Sequence, residues 1–204
     1  GYDSLLVFDL NRDEFTRGIH LRKGAKGWKS QLFDPLSKDG PEMANNLHLN
    51  NVRCSKKGLF VSGLRTDALI HMDSDLNAKE YCSLPAGTHN ARPFKQGVLF
   101  NDTKSDCVRA VGRDGAETNF KIPTYDETEL THTNLDDSRI ARQGFARGLC
   151  LVDQELIAVG SSPSTINLFN LEEKKKVASV NLSMDIRNAI HGLEVWPYER
   201  LLDS

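Results

Sequence analysis

Residues 89–122, HNARPFKQGVLFNDTKSDCVRAVGRDGAETNFKI, contain four short runs of strand-forming residues, at 89–95, 98–103, 107–112 and 117–122. Gln96-Gly97, Lys104-Ser105-Asp106 and Arg113-Asp114-Gly115 separate them. Each run is rich in Val, Leu, Phe or Ile and is bounded by Gly, Asp, Asn or Ser, the pattern of strands punctuated by turns. Asp114-Gly115 is a strong hairpin signal, because both turn positions favour residues that accept positive φ.

The same four-run unit recurs on both sides. Upstream it occupies 48–54, 59–64, 68–73 and 79–84; downstream it occupies 147–152, 156–161, 165–171 and 177–182. A unit of about 36 to 42 residues with four strands is the size of one β-propeller blade. Naming the strands a to d, residues 4–10 and 15–21 match strands c and d, so the chain opens at strand c. Residues 191–197 match strand a and are expected to join the N-terminal strands c and d in one blade. A β-sandwich would leave the repeat unexplained. The expectation is therefore all-β: a β-propeller of four-stranded blades, with about four to five blades or as a fragment of a larger ring. The mid-blade start at Gly1, with no Met, suits the fragment. The organisation expected is one domain over 1–204, with repeats near 4–22, 46–85, 87–123, 145–182 and 190–198. Insertions fall at 23–45 and 124–144, and residues 125–144 have room for a short helix.

Composition narrows the function classes. The formal net charge of −2 argues against a nucleic-acid partner held by bulk charge. No apolar run reaches the ~20 residues a membrane helix needs. Cys54, Cys82, Cys107 and Cys150 form no C-x-x-C pair, and each falls in a different apolar run, so buried reduced thiols in a cytoplasmic protein are expected. No Gly-rich phosphate loop or dinucleotide fingerprint is present. Ser161-Ser162-Pro163-Ser164 lacks the G-x-S-x-G elbow and reads as a turn, and 172–176 reads as a solvated turn.

In a propeller, strand a lines the central channel, and the d-to-a crossovers open onto one face. Both insertions precede a strand a, and loops of that length above a rigid scaffold often carry function. At the starts of strand a stand His48, His89, Arg147 and His191, accompanied by Asn50, Asn90, Arg92 and Arg187. The repeat predicts that they converge on one channel mouth. Three readings follow. Arginine forks, with imidazole and amide donors, suit a carboxylate, sulfate or phosphate, which makes an anionic small molecule the leading ligand. His48, His89 and His191 are also candidate ligands for iron or zinc in an oxygenase or hydrolase, with His132 or Glu194 as a further ligand; Arg147 counts against a metal. The third reading is a non-catalytic scaffold that holds a protein partner on its insertions. Polar residues at blade starts also serve a simpler end, bonding the backbone of the neighbouring blade. Whether the chain catalyses a reaction stays open. Trp196 reads as core, and Trp28, in an insertion, as the better contact residue.

The motifs His48-Leu49-Asn50, Thr88-His89-Asn90-Ala91-Arg92-Pro93, Phe145-Ala146-Arg147-Gly148-Leu149 and His191-Gly192-Leu193-Glu194-Val195-Trp196-Pro197 together resemble an uncharacterised bacterial family. That family comprises conserved hypothetical β-propeller-like proteins, some encoded near sulfotransferases. The resemblance spans about residues 46–197, and the final run is its most specific part. It implies the propeller fold, the candidate site, and members longer than this chain; it brings no activity of its own.

Overall fold

The computed structural model describes residues 2–134 and 142–196. They form fifteen strands and one 3-10 turn, Glu127–Glu129, the short helix expected in the second insertion. The chain divides into two compact units, Gly1–Pro93 and Phe94–Ser204.

The first unit opens with β1 (Ser4–Asp9), β2 (Glu14–Gly24) and β3 (Gly27–Phe33), in the order β1-β2-β3. A complete meander follows: β4 (Leu49–Ser55), β5 (Gly58–Gly63), β6 (Ala68–Met72) and β7 (Ala78–Ser83). Ile19 and Leu21 of β2 pack with Leu47, Val61, Ile70 and Met72 in one buried cluster, with Trp28 and Leu59 against it. β8 (Thr88–Phe94) ends at the division and begins the sheet β8-β9-β10-β11.

The second unit holds the rest of that sheet, β9 (Gly97–Asp102), β10 (Cys107–Val111) and β11 (Glu117–Lys121). Its last sheet is β12 (Gly144–Leu151), β13 (Leu156–Ser162), β14 (Thr165–Asn170) and β15 (Lys175–Asn181), again in sequential order. Its core joins Leu99, Val108, Phe120 and Ile122 to Leu149, Ile157, Val159 and Phe169. Within each unit the ladders between consecutive strands of a sheet are antiparallel. The fold class is all-β, built from up-and-down sheets of the β-propeller blade type.

Two expectations about the ends need correction. Residues 27–33, assigned to an insertion, form β3 on β2, so the first sheet is extended by its own next segment. Residues 190–196 carry no strand; the remainder of the 190–198 run lies outside the described residues. Ile190 instead bonds sideways: Gly148 N–H donates to its carbonyl at 2.8 Å, and its own N–H donates to the Ser161 carbonyl at 3.3 Å. Gly148 and Gly160 make this approach possible, since a Cβ on Gly160 would lie 2.4 Å from Ile190 Cγ2.

Polar side chains tie successive sheets together, from the blade start in the first unit, as expected for Asn50, and from the end of strand b in the second. Asn50 Nδ2 donates to the Thr88 carbonyl at 2.9 Å and Asn51 Nδ2 to the Ala91 carbonyl at 2.7 Å. In the second unit Asn101 Nδ2 donates to the Gly148 carbonyl and Thr103 Oγ1 to the Ala146 carbonyl. The four cysteines are unbridged and lie in four different strands, but of the four only Cys150 is buried; Cys82 and Cys107 are partly buried and Cys54 is exposed. Burial, with the Asp102 carboxylate nearby, pushes the Cys107 thiol up to about 11, so it is protonated and inert at neutral pH. Among the described residues no helix is long and apolar enough to cross a membrane.

Candidate functional site

The device that sets the approach to strand a is an aspartate. Asp3, Asp67 and Asp106 each stand immediately before strand c in a left-handed backbone, with φ of 46°, 51° and 50°. Their carbonyls accept the N–H of Leu21, Leu84 and Ile122, each at 2.9 Å; Ser164 accepts from Leu182 in the same way. The buried carboxylate of Asp3 then takes three backbone donors from the segment before β4: Asn46 at 2.8 Å, Leu47 at 3.1 Å and His48 at 3.2 Å. Asp106 plays a similar part at the start of β12, accepting one backbone donor, Phe145 N–H at 3.1 Å, and Arg142 Nη1 at 2.5 Å. An Asp preceding an apolar run at 4–10, 68–73 and 107–112 was the sequence signal for this device. It passes as ordinary turn chemistry unless the runs are aligned first.

In the first unit His48 is exposed, with φ 48°, and its Nδ1 lies 3.1 Å from Asn45 Nδ2. Asn50 is committed to Thr88 by its amide nitrogen, and its Oδ1 is buried without a donor in reach. His89 and Arg92 are buried, with His89 Nδ1 3.3 Å from the Gly87 carbonyl, and Asn90 has φ 53°. A cavity of about 610 Å³ opens beside the Asp3 cap. His20, Arg22 and Lys23 line it from β2, and Asp39 and Glu42 from the loop before β4.

The second unit gathers the basic residues more tightly. Arg147 Nη1 lies 2.8 Å from His191 Nε2. A guanidinium can only donate, so the imidazole accepts through Nε2 and carries its proton on Nδ1. Arg147 also stacks on Phe145, 4.7 Å from the ring centroid, and Arg142 lies over the same ring at 4.2 Å. Arg142 is neutralised by Asp106. Burial first, and then the charge of Arg142, push the Arg147 guanidinium below its ordinary value. Burial, and then Arg147, push His191 below the usual imidazole range. The second insertion supplies Arg142, which the sequence did not single out. The capped residue preceding β4 is His48 and the one capped within β12 is Phe145, so this bonding aligns His48 with Phe145 rather than with Arg147.

Arg187 stands apart from this cluster in its bonding. Its Nε and Nη2 grip the Asp185 carboxylate at 2.9 and 2.6 Å, and His132 reaches the same carboxylate at 3.1 Å. Hydrogen bonds from Arg187 hold Asp185 down at about 2. The stabilising charge is complete above the usual carboxylate range and is lost only as pH falls through about 2. Arg187 thus braces the 185–187 turn locally, while backbone bonds of Thr131 with Met184 and Ile186 hold that segment beside the second insertion.

The tryptophans reverse their expected roles. Trp28 packs against the first unit's core with Lys23 over its ring, whereas Trp196 is 71% exposed. Among the described residues no group of three or more His, Cys, Asp or Glu side chains is placed to hold a metal ion. Asp136 and Asp137, two of the insertion's acidic residues, and Pro197 of the last motif lie outside the described residues.

No protein-family model and no curated protein matches the chain. Solved structures to which it is similar include virginiamycin B lyase from Staphylococcus aureus, at 11% identity and a TM-score of 0.38, over 81% of this chain and 54% of that one. A streptogramin B lyase follows at 10% identity and 0.39, over 81% and 53%. The computationally designed Ika8 protein aligns at 11% identity and 0.41, over 94% and 64%. The chain thus spans less than two thirds of each, and at TM-scores of this size the likenesses carry no argument about blade number or chemistry.

Proposed function

We propose that the chain binds an anionic small molecule or group, and that in the second unit Arg147 and His191 are its principal contacts. The observation that carries this reading is the half-buried Arg147 guanidinium, held 2.8 Å from His191 and stacked on Phe145 beside a second arginine. A pre-oriented, partly desolvated guanidinium fork suits a carboxylate, sulfate or phosphate and loses little freedom on binding. His48, Asn50, His89, Asn90 and Arg92 are the corresponding candidates in the first unit, with His48 the exposed one. Arg187 has a smaller role than the sequence suggested, because its fork is engaged by Asp185.

Titration calorimetry with sulfate, phosphate and a small carboxylate tests the reading. Arg147→Gln is expected to weaken binding by at least about tenfold, the low end for losing a hydrogen bond to a charged group. Arg187→Gln is expected to leave binding nearly unchanged. Equal binding by the parent and Arg147→Gln would overturn the proposal.

The depressed His191 pKa gives the pH dependence a sign. Near neutral pH the ring is uncharged and accepts from Arg147 through Nε2. As pH falls below the usual imidazole value of ~6.5, the unfolded chain takes up a proton that the folded site resists, so stability declines. A bound anion opposes this by favouring the imidazolium. Anion affinity is therefore expected to rise as pH drops from 7 to 5, and His191→Asn is expected to flatten that rise.

A further inference from the structure

β1 lies at the edge of its sheet but has the character of an interior strand. Asp3 marks it as the counterpart of β6, β10 and β14, which follow Asp67, Asp106 and Ser164 and carry the same carbonyl bond to the end of strand d. Those three strands are each flanked on one side by strand d and on the other by strand b: β5, β9 and β13. β1 has β2 on one side and, among the described residues, no strand on the other.

Exposure follows from that difference. Leu6 is 52% exposed, whereas its counterparts Ile70 and Asn167 are 0%. Phe8 is 42% exposed, whereas Met72 is 0% and Phe169 is 3%. Leu6 and Phe15 also line a cavity of about 630 Å³ with Tyr2, Phe33 and Pro35. Edge strands that stay unpaired are commonly blunted by lysine or proline; Ser4–Asp9, SLLVFD, has neither.

We infer that the free edge of β1 receives a β-hairpin of the kind that strands a and b form elsewhere in this chain, with strand b pairing antiparallel against β1. β4–β5 defines its chemistry. In that sheet Leu59 faces Met72, Phe60 faces His71 and Val61 faces Ile70. Transferred to β1, the same register sets those three residues against Phe8, Val7 and Leu6. This is strand addition to an open edge, in which main-chain bonds supply affinity and alternate side chains supply the fit.

The test uses the 204-residue chain with residues 49–66 fused ahead of Gly1 through a short Gly-Ser linker, carrying Cys54→Ser in the added copy. Tethering raises the effective concentration of the hairpin to about millimolar. Amide hydrogen exchange is read at Leu6, Val7 and Phe8: those whose N–H points to the free edge are expected to slow by at least about tenfold relative to the unfused chain, and those already bonded to β2 serve as the internal reference. Leu6→Lys with Phe8→Lys, both at exposed positions, is expected to abolish the slowing. A second arm adds peptide 49–63, with Cys54→Ser, to the unfused chain and reads the same three amides. No protection in either arm overturns the inference. A concentration-dependent dimer of the unfused chain, abolished by the two lysines, would also overturn it and assign the edge to a second copy.

Discussion

Gly160→Ala is expected to destabilise the protein by about 1–3 kcal/mol, the usual cost of overpacking. The sign is informative, because Gly→Ala at a compatible backbone ordinarily stabilises by about 0.4–1 kcal/mol through the unfolded chain. Here the added Cβ would meet Ile190 Cγ2 at 2.4 Å, Ile190 Cβ at 2.5 Å and the Ile190 carbonyl oxygen at 2.9 Å. Relief requires the 186–190 segment to move off β13, breaking the Ser161–Ile190 and Gly148–Ile190 bonds. His191 is the next residue, so the same displacement separates its ring from Arg147. Ile190→Gly removes two of the three clashing atoms and should recover part of the loss. A double-mutant cycle from urea midpoints at constant slope would show a coupling of at least about 0.5 kcal/mol. Additive effects would mean that Ile190 does not occupy this place in solution. The anion affinity of Gly160→Ala should fall as well, tying the packing of one glycine to the proposed site.

The strands and their order were legible because each run was short, enriched in strand-forming apolar residues and closed by turn residues. The runs 98–103 and 107–112 correspond closely to β9 and β10. β3 was missed because GWKSQLF offers only Trp28, Leu32 and Phe33 as apolar residues, and its register against β2 is set by the tight Gly24–Gly27 turn. The opposite error fell on 191–196, where Leu193 and Val195 alternate as in a strand. Its backbone is irregular instead, and the segment is anchored through Ile190, for which two glycines on neighbouring strands make room. That complementarity is invisible without the register. The proximity of Arg147 and His191 followed from the motifs. The stacking of Arg142 and Arg147 on Phe145 did not, because it depends on a left-handed Phe145, φ 28°, held by Asp106. Exposure of the tryptophans was equally unreadable, since residue type alone does not say which neighbours arrive.

Asp3→Ala is expected to cost about 3 kcal/mol, the largest single effect in the first unit. One buried carboxylate serves three backbone donors, and hydrogen bonds to a charged group contribute about 1.5–3 kcal/mol each before compensation by water. Water reaches exposed Asn46 readily after the change, but Leu47 is buried and its N–H would be stranded. Alanine also pays for the left-handed backbone, φ 46°, which Asn and Asp tolerate better. Asp3→Asn keeps one carbonyl oxygen and that backbone, so it should lose about half as much. The order Asp, Asn, Ala in urea midpoints checks the argument, and equal losses for Asn and Ala would refute the cap. The consequence reaches the loop before β4. Asp3 fixes its last residues and so shapes the cavity lined by Asp39, Glu42, Arg22 and Lys23. Limited proteolysis should therefore cut 39–46 faster in Asp3→Ala than in the parent, while the β6–β7 hairpin, which Asp3 does not touch, keeps its resistance.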